Sequence, residues 1–156
     1  MKLLATLFLL AASFAAAQSF EVPIPNNWGG CGAAYNGSRV SNWCSVAVLV
    51  APSQQLYSYT TYDVAIAHGV PTTSVRTGFA PILRHYTLGK NWDLALIGMA
   101  TMGTSQTAVN LFGSLSGGGQ LMIRYHQRVT FQLGVRQATG PAPGPYIEAG
   151  IGLTLD

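Results

Sequence analysis

Charge is what this sequence has least of. Asp, Glu, Lys and Arg make up 8% of its 156 residues, where an ordinary soluble domain carries about 25%. A soluble exterior needs a charged coat, and so few charges cannot cover a sphere of this size. The net charge of +3 is mild and unclustered, which argues against a nucleic-acid surface. Long apolar runs are missing as well. After residue 17 nothing approaches the ~18 consecutive apolar residues of a spanning helix, the longest candidate being 94–100. Cysteine is limited to Cys31 and Cys44, with no third or fourth ligand nearby to build a metal site. There is no GxGxxG ahead of a helix, no GxxxxGK(S/T), no HExxH and no CxxC, and no cofactor is expected. Gly117-Gly118-Gly119 precedes a strand-like run and is no phosphate cradle.

The N-terminus has Lys2, an apolar run over 3–16 and small residues ending Ala15-Ala16-Ala17. This reads as a secretory signal at 1–17, cleaved after Ala17; the run is shorter than the ~20 residues of a membrane anchor. Residues 18–27, with Pro23 and Pro25, form an extended lead-in, and 28–156 a single domain. An exported, apolar chain without a spanning helix points to a closed barrel, the other structure that satisfies its backbone in lipid.

The last third carries the organising pattern. Leu121, Ile123, Tyr125, Val129, Phe131, Leu133 and Val135 occupy odd positions; Arg124, His126, Arg128, Thr130, Gln132 and Arg136 fall between them. Successive strand side chains point to opposite faces, so this is one apolar and one charged face. Ile147, Ala149, Ile151, Leu153 and Leu155 repeat it against Tyr146, Glu148, Gly150, Gly152 and Thr154. Upstream, strands are expected at 28–36, 42–51, 54–67, 72–86 and 92–102, with a bulge or bend at Pro81 and a turn at 103–105. Residues 107–125 keep one parity throughout, favouring one long strand bent at the glycines over a hairpin turning there. A three-residue loop at 126–128 and a loop at 137–145 then separate the final two strands. The sum is an all-β, antiparallel up-and-down transmembrane barrel of about eight strands.

Over the whole mature chain this pattern resembles the small, eight-stranded outer-membrane β-barrel proteins. The resemblance rests on signal, alternating strands, inward glycines and an apolar-alternating last strand rather than on a short motif. It implies an outer-membrane location in a diderm cell envelope, with outer-membrane lipid and the barrel-insertion machinery as partners and no named ligand. The family commonly ends on an aromatic residue read by that machinery, whereas this chain reads Leu153-Thr154-Leu155-Asp156.

In such a barrel Arg124, Arg128, Arg136 and Glu148 point to the lumen or lie at its mouth, joined by Asp63, Asp93 and Arg76. An eight-stranded interior is just wide enough to be filled by side chains, and buried charges must pair. The expected lumen is therefore a polar plug fixing strand register, with a narrow pore as the alternative. Trp28, Trp43 and Trp92 lie near strand ends and are assigned to an interfacial girdle, core packing being the rival explanation. Cys31 and Cys44 would meet an oxidising compartment and can pair, or remain two free thiols. A second architecture keeps the barrel but makes it a soluble, lipocalin-like binder with its apolar parity inward. Catalysis is not expected. His68, His85 and His126 sit near strand ends, and the His-x-Ser-Asn pattern of the barrel deacylases is absent, His126 being followed by Gln127-Arg128.

Overall fold

The computed structural model describes Pro25, residues 27–67 and residues 69–155. The signal at 1–17, all of the lead-in but Pro25 and Asn27, and His68 lie outside the described residues. Eight strands follow in order: β1 (Asn27–Tyr35), β2 (Val40–Ala51), β3 (Leu56–Ala67), β4 (Val70–Thr87), β5 (Trp92–Gln106), β6 (Leu111–Tyr125), β7 (Val129–Ala138) and β8 (Gly144–Thr154). Each pairs antiparallel with the next, and β1 pairs with β8, so the sheet is a closed barrel. Closure leaves no strand edge, which is how a sheet satisfies its backbone in a solvent without hydrogen bonds. The chain ends are fastened at the seam, where Leu155 N–H donates to Asn27 O (2.8 Å) and Asn27 Nδ2 donates to Leu155 O (3.1 Å). The rim holding these ends also carries the β2–β3, β4–β5 and β6–β7 connections; the other four turns form the far rim.

The period-two pattern resolves into two surfaces. Large apolar residues such as Val46, Val75, Leu133, Ile147 and Ile151 stand exposed on the outer wall, while Arg76, Asp93, Arg124, Gln132 and Glu148 are buried inside. This is the reverse of a soluble barrel, in which burying apolar area inward drives folding. The lipocalin-like arrangement, with its apolar parity inward, does not occur.

The largest departure from the expected boundaries is at the junction of β5 and β6. Residues 103–105 do not turn; they continue β5, with Gly103 opposite Ser114. The turn comes four residues later, because Thr107 and Asn110 close it locally: Thr107 N–H donates to Asn110 O (2.9 Å) and Asn110 N–H to Thr107 Oγ1 (3.2 Å). Consequently β6 starts at Leu111 rather than at 107. Gly117, Gly118 and Gly119 lie inside that single strand, paired with β5 and β7. The register shift in β4 falls between Ile82 and Arg84, just past Pro81.

Candidate functional site

The lumen is where the chain concentrates its chemistry. β3 and β5 turn odd residues inward, while β4, β6, β7 and β8 turn even ones, and the antiparallel register brings these positions to matching levels. Asp63 lies opposite Ser74, one inward step from Arg76, and Arg76 Nη2 donates to Asp63 Oδ2. Asp63 also reaches across the lumen to β7, where Arg136 Nη2 stands 2.7 Å from Asp63 Oδ1. Arg136 Nε lies 2.5 Å from Glu148 Oε1, and its guanidinium stacks over the Tyr146 ring at 5.4 Å. Arg76 Nη1 adds a hydrogen bond to Ser114 Oγ (3.0 Å). Two guanidiniums thus face two carboxylates in one cluster that ties β3, β4, β7 and β8 together. Charge balance with close hydrogen bonds is the condition for burying such groups.

A second cluster sits toward the rim of the chain ends. Arg124 Nε donates to both oxygens of Asp93 (3.0 and 2.9 Å), directly across the β5–β6 ladder. His85 Nε2 lies 3.2 Å from Asp93 Oδ1. Sequence reasoning missed His85, because the β4 register shift moves it from the outer parity to the inner one. In the structure Thr87 lies opposite Asp93, and His85 is one inward step away.

Between these clusters the fill is apolar and aromatic: Trp28, Tyr57, Tyr59, Ile82, Ile97, Met99 and Met122 form one buried group. The expected polar plug is therefore partly a hydrophobic one. Two cavities bordering the Asp63–Arg136 cluster measure about 10 and about 20 Å³, room for one or two waters. Ser41 Oγ faces the larger and Thr61 Oγ1 the smaller without a protein partner, so water is the natural occupant.

Three residues assigned from the sequence sit elsewhere. Trp28 and Trp43 do not belong to an interfacial girdle: they are 0% and 4% exposed, with their rings in the lumen. Inward glycines make the space for Trp43, since a Cβ on Gly150 would meet its ring at 2.6 Å. Only Trp92, 42% exposed, faces outward, its ring tilted against Tyr125 (centroids 4.5 Å) and stacked with Phe131 (6.5 Å). Arg128 does not enter the lumen network; the left-handed backbone at His126 and Gln127 holds it in an exposed turn. Cys31 and Cys44 are opposite one another on β1 and β2, disulfide-bonded, on the outer wall.

Among the described residues the remaining serine and histidine candidates form no nucleophile–base pair. Ser74 and Ser105 hydrogen-bond each other at 2.6 Å, His85 is engaged with Asp93, and His126 packs edge-on against Tyr125. Among the described residues no three His, Cys, Asp or Glu side chains converge as a metal site.

The closed eight-stranded antiparallel barrel is a fold this chain shares with solved transmembrane and outer-membrane β-barrels. A designed transmembrane β-barrel matches it with a TM-score of 0.55, over 85% of this chain and 98% of that chain, at 11% identity. The outer-membrane protein Ail of Yersinia pestis, determined in a phospholipid bilayer nanodisc, matches with a TM-score of 0.50 over 83% and 99%, at 10% identity. These are likenesses of fold. No family model and no curated protein matches the sequence.

Proposed function

We propose that this chain is an outer-membrane β-barrel whose role is structural or surface-binding, without catalysis, and whose lumen is sealed by its own side chains. The observation that carries this reading is the placement of Asp63, Asp93 and Glu148. They are buried and ion-paired inside, while the outer wall is left to Val, Leu, Ile and Phe. A wall of that composition is stable only against lipid, which supports outer-membrane lipid as the solvent and the barrel-insertion machinery as the route of entry. Export by the N-terminal segment belongs to the same reading. The balanced ion pairs and water-sized cavities favour a plug over the narrow pore.

Fractionation of expressing cells followed by bilayer recording tests both parts. The expected outcome is recovery with the outer membrane, a faster-migrating band when the sample is left unboiled, and no conductance steps in a planar bilayer. Recovery in the soluble periplasmic fraction would contradict the membrane role, and discrete steps the plug.

A further inference from the structure

Among the described residues every carboxylate side chain is inside, but cations toward the terminal rim are not. Arg84, Lys90 and Arg128 lie on the outer wall or the terminal rim, and none of their side chains has a hydrogen bond or ion pair to the described residues. Arg84 is the telling one. The β4 register shift sets it opposite Leu96 on the lipid-facing side, half-buried, with its Nε enclosed and unpartnered. An arginine on a barrel's lipid face is costly at the midplane and costs close to nothing near an interface, so its head must reach the boundary. Arg84 lies three residues from the end of β4 at the terminal rim. Lys90 and Arg128 occupy the two turns just beyond, which are joined by a 2.7 Å hydrogen bond from His126 N–H to Asn91 O. The Trp92–Tyr125–Phe131 stack lies on the outer wall directly below these turns. Aromatic rings of this kind sit at the headgroup level of a bilayer.

We infer that the terminal rim holds the phosphate of an anionic phospholipid, with Arg84, Lys90 and Arg128 as its cationic contacts and Trp92 and Tyr125 flanking its glycerol region. The inference rests on the membrane reading above. Among the described residues no carboxylate is left to pair with them, because Asp63, Asp93 and Glu148 are committed to the lumen. A lipid headgroup brings one to the depth where Arg84 ends, and each basic side chain adds to the attraction.

The test is native mass spectrometry of the full chain released from vesicles of phosphatidylcholine mixed with phosphatidylglycerol, comparing wild type with Arg84→Gln and with Arg84→Gln/Lys90→Gln/Arg128→Gln. Wild type is expected to retain phosphatidylglycerol at least about fivefold over its share in the vesicle. The single variant should retain less, and the triple variant should retain the two lipids in proportion to their supply. The unboiled gel band of each variant checks that it still folds. Equal enrichment in wild type and triple variant would overturn the site, as would displacement of the lipid by excess inorganic phosphate, which would make it a free-anion site. Failure to insert even into pure phosphatidylcholine would instead defeat the membrane reading itself.

Discussion

Asp63 is the residue on which the lumen depends most. It is shared by Arg76 on the neighbouring strand and Arg136 across the barrel, whereas Glu148 serves Arg136 alone. Removing one partner of a buried pair strands the other, at about 3–5 kcal/mol. Asp63→Leu is therefore expected to cost at least that much. Glu148→Leu should cost less, because Arg136 keeps Asp63. Urea-unfolding midpoints in detergent rank the two, and an equal or inverted order would count against the shared-carboxylate geometry. Gly150 works by what it leaves out. Its Cβ would meet the Trp43 ring at 2.6 Å and Cys31 O at 2.8 Å, so Gly150→Ala overpacks the lumen and should destabilise by about 1–3 kcal/mol. A near-neutral midpoint would show that Trp43 has another place to go. At this scale the sequence was half legible. The period-two pattern put Arg76, Asp63, Asp93, Arg124, Arg136 and Glu148 on one face, and all six are buried; alternation depends only on the local backbone. It misplaced Trp28 and Trp43; the room for the Trp43 ring is left by Gly150 of β8, which meets it only when the barrel closes.

The strands themselves were legible wherever side chains alternate, and their ends were not. The turn at Thr107–Asn110 was misplaced at 103–105 because a Gly-Thr-Ser run reads as a breaker locally, yet is held in β5 by the register with β4 and β6. His85 escaped for the kindred reason that one extra residue in β4 inverts every parity after it. The first hairpin carries its own fastening, Cys31 to Cys44 across 13 residues of chain. A crosslink closing a loop of that size is worth about 3 kcal/mol by its constraint on the unfolded chain. Cys44→Ser should lower the unfolding free energy by about that amount while leaving the unboiled gel band in place; no change in midpoint would mean that closure by β8 already fixes the hairpin. Since both cysteines face outward from mid-strand, a water-soluble reductant should cleave the bond slowly in the lipid-embedded barrel and rapidly after unfolding, as thiol alkylation and mass measurement would record.

For the whole molecule, polarity is the defining property. Few charges are present, and those that are buried neutralise one another inside, so the exterior is free to be apolar. Closure into a barrel and an apolar outer wall were readable from composition and parity together, because 8% charge cannot coat a soluble surface and alternation gathers the apolar residues on one face. How the lumen is divided between ionic and aromatic fill was not, since it is set by pairs such as Asp63–Arg136, 73 residues apart. The measurement that bears most directly on this polarity is spin-label accessibility along β7, with single cysteines placed at 129, 131, 133 and 135 in the oxidised protein reconstituted in lipid. The expected result is that the labels at the three inner positions of this series collide with dissolved oxygen and are shielded from a water-soluble nickel chelate, the label at 129 being intermediate at the rim. Labels open to the chelate, or packed away from both reagents, would contradict a lipid-facing wall and with it the barrel's place in a membrane.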